Sequence, residues 1–223
     1  EFVARKIPAL GIEPAVNVAL VAQEAGIPTI NRFFGSALAR ELVGQGLGAD
    51  LIIANNVLAH VPELNDFVGG FKILLKPKGV LTIEVPHLLR LMEGVQFDTV
   101  YHEHFSYFSF LAAEKLMGSH GLQIFDVERL ETHGGSLRLH VTHQENAVSH
   151  GPGVSSLREE ELSAGLLGIE GYRKFPDMVR KVRRKLLRFL LDAEENGKVV
   201  VGYGAPAKAV TLLSYCGVGA DLL

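Results

Sequence analysis

Short apolar segments alternate with amphipathic segments through the first 86 residues, and this alternation limits the fold more than any other feature. The apolar segments have the length and the flanking turn residues of buried strands, and the segments between them have helical periodicity. The predicted strands cover residues 8–14, 28–30, 49–56 and 80–85, and the predicted helices cover residues 15–25, 37–44 and 63–75, with a turn at 76–79. Such alternation is typical of a parallel sheet with helices on both faces, so we predict an α/β fold.

The pattern changes in the second half of the chain. Residues 122–128 and 136–141 are typical of two strands joined by a turn, which predicts an antiparallel hairpin that finishes the sheet. Residues 157–195 have a helical pattern, and residues 198–201 predict another strand, followed by a glycine turn and a helix through Leu213. The polar segment 144–152 marks a boundary. We therefore expect a first domain at 1–148, a helical connection at 149–196 and the start of a second α/β domain at 197–223.

Composition excludes some classes of function. The net charge of −3 gives no electrostatic case for binding nucleic acid. No apolar run reaches the length of a membrane span. The single cysteine, Cys216, excludes an internal disulfide and a multi-cysteine zinc site in this chain, and it fits the reducing cytoplasm. The sequence carries no signal for an oligomeric state.

Polar residues follow the predicted strands of the sheet. They are Glu13, Ser36, Asn55 with Asn56, and Pro86 with His87. Open parallel sheets bind ligands at the carboxyl ends of their strands. A carboxylate there suits a ribose diol, because it can accept two hydroxyl hydrogens. Each residue alone has an ordinary explanation as a turn or helix-cap residue, but together they favour a nucleoside site.

The segment from Tyr101 to Phe108 places His102, Glu103 and His104 between aromatic residues. Aromatic surroundings lower the local polarity, and the pKa of histidine already lies near neutrality. The segment therefore suits a base that removes a proton from carbon. The competing explanation is a surface turn with solvated polar side chains.

The turn after residues 198–201 has the pattern of a phosphate site. Gly202 and Gly204 allow a close approach of the backbone, Pro206 suits a first helical turn, and Lys208 can add a positive charge. A strand, a glycine turn and a helix together point backbone N–H groups at a phosphate. The basic residues of the preceding helix, between Arg180 and Arg188, are interpreted as a solvated face.

Four segments together resemble the sugar C-methyltransferases, which are class I S-adenosylmethionine enzymes of deoxysugar biosynthesis. The segments are 50–61, 97–109, 133–136 and 202–208, and they follow one another in the same order over essentially the whole chain. The resemblance implies a Rossmann-like methyltransferase sheet followed by a C-terminal α/β domain. It also implies an N-terminal zinc module, a first strand and a glycine-rich cofactor loop, which this sequence lacks. We therefore expect an incomplete sheet, a fragment without assured activity of its own, and zinc only in the absent module.

The resemblance also implies roles for single residues. His104 would remove a proton next to the ketone of a nucleotide-linked 4-keto sugar, Glu103 would orient it or act in its place, and Tyr101 would bond the substrate oxygen. The residues implied for S-adenosylmethionine are Glu13 at the ribose, with Pro14, Ser36, Asn55 and Asn56. The residues implied for the sugar nucleotide are His102, Tyr107, and Gly202, Gly204 and Lys208 at the diphosphate. The role of His60 stays ambiguous.

Three other functions remain open from the sequence. A nicotinamide-dependent oxidoreductase could use the Gly202 turn for a dinucleotide, with Asp221 as the acid that follows. A metal could bind His102 and His104, although their spacing is not that of a helical zinc motif. A non-catalytic module could bind sugar nucleotides without methylating them.

Overall fold

The computed structural model describes residues 2–204 and 206–223. In these residues six β-strands and eight α-helices follow one another along the chain. The strands are β1 (Gly11–Ile12), β2 (Thr29–Ile30), β3 (Ala49–Asn55), β4 (Leu75–Pro86), β5 (Leu122–Leu130) and β6 (Ser136–His143). The helices are α1 (Val16–Glu24), α2 (Ser36–Gly44), α3 (Leu64–Leu74), α4 (Leu88–Glu93), α5 (Phe110–Ser119), α6 (Pro152–Ser163), α7 (Phe175–Glu195) and α8 (Ala207–Cys216).

The strands form two sheets. β1 and β2 pair in parallel, and the other four strands form a sheet in the order β3-β4-β6-β5. β3 and β4 are parallel, whereas β6 is antiparallel to both β4 and β5. The predicted α/β fold and the predicted hairpin are therefore confirmed, since β5 and β6 are the hairpin that completes the larger sheet.

The core lies against the larger sheet. Alternate residues of β4, Leu81, Ile83 and Val85, are fully buried, and so are Leu139 and Val141 on the neighbouring β6. Burying each such side chain contributes roughly 1.5–3 kcal/mol. A smaller cluster connects the two sheets, because buried residues of α2 and α3 pack against residues of β1, β2 and β3. This packing brings the carboxyl ends of β3 and β4 to one side of a rigid core.

Three predicted boundaries are wrong. The predicted turn at 76–79 lies inside β4, where the pairing shifts from Leu75 opposite Ala49 to Val80 opposite Leu51. The predicted helix at 157–195 is two helices, because Gly165 has a φ of +76° and the chain leaves the helical conformation just after α6. The strand predicted at 198–201 does not form in the described residues, since no neighbouring strand pairs with it there.

Helix α7 is amphipathic. Val179, Leu190 and Ala193 are buried on one side, and the basic residues between Arg180 and Arg188 are exposed or partly exposed, as expected of a solvated face. Its last turns lead into residues 198–204, where Val199 and Val201 are exposed. None of the helices in the described part of the chain combines the length and the apolar character needed to cross a bilayer.

Candidate functional site

A cavity of about 140 Å³ lies at the carboxyl ends of β3 and β4. Segments that are far apart in the sequence form its wall, and most of its named side chains are polar or aromatic. They include Asn56, His60, Glu84, His87, Gln96, Tyr101, His104, Tyr107, His133 and Lys208. The position of this cavity agrees with the rule that open α/β sheets bind ligands beyond the carboxyl ends of their strands.

The His104 imidazole has a fixed orientation in this cavity. Its Nδ1 lies 3.0 Å from the backbone carbonyl oxygen of Thr99. A carbonyl only accepts, so Nδ1 carries the hydrogen, and the neutral ring presents an unprotonated Nε2. Burial lowers the pKa of His104 below its ordinary value, against the smaller opposing effect of the Thr99 hydrogen bond. The ring is therefore neutral near pH 7 and able to accept a proton.

Aromatic rings and a second imidazole surround His104. Ring centres lie 4.5 Å from it at Tyr101, 4.8 Å at His60 and 5.8 Å at Tyr107. Burial raises the pKa of Tyr107, so its hydroxyl keeps its proton and donates to the Thr99 carbonyl at 3.3 Å. A neutral imidazole beside the Tyr101 phenol gives a base together with a hydrogen-bond donor for a developing negative charge.

His102 and Glu103 lie outside the wall of the cavity. Both side chains are exposed. The backbone carbonyl oxygen of Glu103 lies near the site, 3.0 Å from Nδ1 of His60. The carbonyl oxygen accepts, so His60 donates from Nδ1. The predicted catalytic role of Glu103 and the predicted substrate contact of His102 stay predictions. The structure gives His60, ambiguous from the sequence, a defined position against His104.

Of the residues predicted to bind the cofactor, Asn56 lines the cavity. Its backbone has a φ of +54°. Its Oδ1 is the one completely buried side-chain polar atom in the described residues that has no hydrogen-bond partner. Buried polar atoms usually have partners, so this oxygen is an unusual, unsatisfied acceptor beside the cavity. Asn55, the last residue of β3, is exposed and does not line the cavity.

The other predicted cofactor residues lie at the ends of β1 and β2. Oε1 of Glu13 accepts from the Ala15 amide at 2.8 Å, and the Glu13 and Pro14 carbonyls accept from the Asn31 side chain. The second carboxylate oxygen of Glu13 makes no hydrogen bond or ion pair within the described residues. Ser36 begins α2, and its hydroxyl donates to the Asp66 carbonyl at 3.0 Å. These residues have fixed positions, but they do not line the cavity around His104.

The glycine turn contributes one of its three predicted residues to the cavity. Lys208, in the first turn of α8, lines it, whereas Gly202 and Gly204 are exposed and lie outside it. Helix α8 is held near the site by a ring contact of 4.9 Å between Tyr215 and Phe97. Because no strand precedes the turn within the described residues, the arrangement on which the dinucleotide alternative depends is missing there.

Two buried glutamates at the site were not predicted. Glu84 is 7% exposed, lines the cavity and accepts from Nε and Nη2 of Arg138 at 2.8 and 2.6 Å. Glu161 is fully buried and lies 2.7 Å from Nε2 of His87. A charged residue within the apolar strand at 80–85 is the signal that could have identified Glu84. Within residues 2–204 and 206–223 no group of three or more metal-ligating side chains is arranged to hold a metal ion.

Comparison with known proteins defines the class to which this fold and cavity belong. Residues 4–127 match a methyltransferase domain family, and residues 131–223 match the C-methyltransferase C-terminal domain. The chain is 36% identical over 210 residues to C-methyltransferase NovU of Streptomyces niveus, an alignment that covers 94% of this chain and 50% of NovU. The crystal structure of the PH0226 protein of Pyrococcus horikoshii OT3 has a TM-score of 0.50 at 15% identity, over 63% of this chain and 73% of that one.

The first match shows that residues 4–127 are a methyltransferase domain. Together with the second match and the similarity to NovU, it shows that the chain belongs to the C-methyltransferases, so the predicted family is confirmed. The predicted cofactor, S-adenosylmethionine, agrees with this family. The likeness to the Pyrococcus structure shows the shared fold alone. The chain spans half the length of NovU.

Proposed function

We propose that this chain provides the proton-removing part of an S-adenosylmethionine-dependent C-methyltransferase that acts on a nucleotide-linked 4-keto deoxysugar. The observation that carries the proposal is the orientation of His104, which presents an unprotonated Nε2 between phenol groups in the cavity. A neutral, fixed imidazole suits the removal of a proton from a carbon made acidic by a neighbouring ketone. The similarity to a C-methyltransferase supports carbon as the methyl acceptor.

The described residues fit the proposed cofactor at two points. Asn56 lines the cavity beside β3, where it can contact a ligand. The free carboxylate oxygen of Glu13 suits the ribose hydroxyls, with Pro14, Ser36 and Asn55 as the neighbouring residues of the same proposed site. When it is bound, S-adenosylmethionine supplies a methyl group on a sulfonium sulfur, which a carbon nucleophile accepts.

In the proposed reaction His104 removes one proton. The C–H bond next to the ketone breaks, the proton goes to Nε2, and the electron pair moves through the new carbon–carbon double bond to the ketone oxygen. The hydroxyl of Tyr101 donates to that oxygen as its negative charge develops. The ring contacts around His104, together with its hydrogen bond to Thr99, hold the base in one orientation.

The proposed substrate is held at its diphosphate by Lys208, with the backbone at Gly202 and Gly204 nearby. The position of Lys208 in the cavity wall supports this contact. The positive charge of Lys208 also makes a small contribution to the lowered pKa of His104. The cytoplasmic location expected from the single cysteine stays a prediction.

Proton exchange at the substrate carbon tests this function without a methyl donor. The chain is incubated in heavy water with the uridine and thymidine diphosphate esters of 4-keto-6-deoxyglucose, and the proton signal next to the ketone is followed by NMR. We expect exchange with the native chain and its loss in His104→Ala, because that change removes the unprotonated Nε2 beside the phenols. His150→Ala, which changes an exposed histidine outside the cavity, is the matched control. Exchange that is equal in His104→Ala and the native chain would contradict the assignment of the base.

A further inference from the structure

A second imidazole of the cavity wall is held by a buried carboxylate. His87 follows β4 and is 2% exposed, and its backbone N–H donates to the Gly135 carbonyl at 3.0 Å. Its Nε2 lies 2.7 Å from Oε1 of Glu161, which is fully buried on α6, 74 residues further along the chain. Glu161 does not line the cavity. The carboxylate is therefore placed behind the imidazole, on the side away from a ligand.

The partners of Glu161 determine which nitrogen of His87 carries the hydrogen. Oε1 accepts from the Phe110 amide at 2.6 Å, and Oε2 accepts from the Leu111 amide at 2.9 Å. An amide N–H only donates, so both oxygens act as acceptors and Nε2 of His87 is the donor. The amides belong to the first turn of α5, where the helix dipole favours a negative charge. In its neutral form, the His87 ring therefore has its lone pair on Nδ1.

Nδ1 of His87 is accessible from the cavity. It makes no hydrogen bond within the described residues. It is not completely buried either, because Oδ1 of Asn56 is the one completely buried side-chain polar atom without a partner in these residues. Nδ1 therefore keeps some accessible surface, and His87 lines the cavity. The cavity thus holds an acceptor without a partner at Nδ1 of His87, and a ligand that carries a hydroxyl hydrogen complements it.

The imidazoles of His104 and His87 carry their hydrogens on opposite nitrogens. His104 has its hydrogen on Nδ1, bonded to the neutral Thr99 carbonyl, and His87 has its hydrogen on Nε2, bonded to a carboxylate. A carboxylate behind an imidazole fixes the orientation of the ring and makes the exposed nitrogen a better acceptor. One ring is therefore arranged as the base, and the other as a fixed hydrogen-bond acceptor.

We propose that Nδ1 of His87 accepts a hydrogen bond from a hydroxyl group of the sugar, and that Glu161 is the residue that positions it. This inference rests on the proposed function and extends it, since it assigns a residue that selects for a hydroxylated sugar. A site that is built to accept a hydroxyl hydrogen rejects a ligand that lacks it, because its acceptor is then left unpaired.

The tautomer is tested by long-range ¹H–¹⁵N NMR of the imidazole nitrogens in the native chain, with the His87 signals assigned by their loss in His87→Gln. We expect the Nε2–H form in the native chain and a shift toward the Nδ1–H form in Glu161→Gln, because the amide of Gln can donate to Nε2. Glu160→Gln is the matched control, since the neighbouring Glu160 pairs with Arg90 and Arg129 rather than with His87. If Glu161 had only a structural role, the His87 nitrogen signals would not change in Glu161→Gln while staying the same in Glu160→Gln.

Binding of the two 4-keto-6-deoxyglucose esters is then measured by calorimetry. His87→Gln keeps an amide within reach of Glu161 and removes the Nδ1 acceptor, so we expect affinity to fall by about three- to tenfold, the effect of one hydrogen bond. The 2-deoxy or the 3-deoxy analogue of the probe should bind the native chain and His87→Gln equally well. Circular dichroism and thermal unfolding establish that the variant is folded.

The outcomes separate this inference from the proposed function. Weaker binding by His87→Gln, together with the Nε2–H tautomer, supports the inference. Equal binding of the probe by a native and a His87→Gln chain, or an Nδ1–H or doubly protonated ring in the native spectrum, overturns the inference alone. A folded native chain that binds neither ester overturns the proposed function and this inference with it.

Discussion

Removing the Glu161 carboxylate should cost this protein a large part of its stability. In Glu161→Ala three buried donors lose their acceptor: Nε2 of His87 and the amides of Phe110 and Leu111. A buried donor without a partner costs about 1–3 kcal/mol. The neighbouring cavity admits water to some of these groups, which lowers the sum. We therefore expect the free energy of unfolding to fall by about 3–5 kcal/mol, which is the cost of three unpaired donors less the part that water restores.

Urea unfolding monitored by circular dichroism measures this loss, with Glu160→Ala as the control. Glu160 is on the same helix and its side chain is 28% exposed, so loss of its ion pairs with Arg90 and Arg129 should cost about 0–1 kcal/mol. The slope of the free energy against urea should be equal in both variants, which shows that they expose the same surface. A loss in Glu161→Ala that is below 1 kcal/mol, or no larger than in Glu160→Ala, would refute the buried hydrogen-bond network.

Three further predictions concern the cavity and the helix beside it. Proton exchange should decline as the pH falls through the pKa of His104, because only the neutral ring accepts a proton. Burial holds that pKa below the ordinary value, so an exchange profile with its midpoint above about 6.5 would contradict the assignment. Lys208→Ala should weaken binding of the sugar nucleotide about tenfold or more in calorimetry, since a charged hydrogen bond to phosphate is lost. Lys185→Ala, on the exposed side of α7, should bind like the native chain. Ser109→Ala should lower the free energy of unfolding in urea by about 1 kcal/mol, because the Ser109 hydroxyl caps α5 by accepting from the Ala112 amide; an unchanged midpoint would contradict this.

Local patterns predicted the strands and part of the site. The hairpin of β5 and β6 follows from alternation within each segment, and Tyr101, His104 and Tyr107 meet in the cavity because they are neighbours in one short segment. The break after α6 was missed, since helical patterns continue on both sides of it. A single glycine, Gly165, interrupts them with a left-handed conformation that side-chain periodicity does not reveal.

The buried pairs could not be predicted from spacing. Glu161 and His87 are 74 residues apart, and Arg138 and Glu84 are 54 residues apart. Which side chains meet over such distances depends on sheet order and on how α6 packs, neither of which a local pattern contains. The strand predicted at 198–201 was wrong for a related reason, because an apolar segment becomes a strand only where another strand pairs with it.

The position of β3 has a practical consequence for work with the isolated chain. It stands at one end of the four-stranded sheet, so a row of its peptide groups faces no strand in the described residues, and Leu51 and Ile53 are 45% and 49% exposed. Such an edge is a template for pairing with another molecule and a common origin of aggregation. Light scattering should therefore accompany every binding measurement, and Ile53→Lys is a suitable change for keeping concentrated samples dispersed.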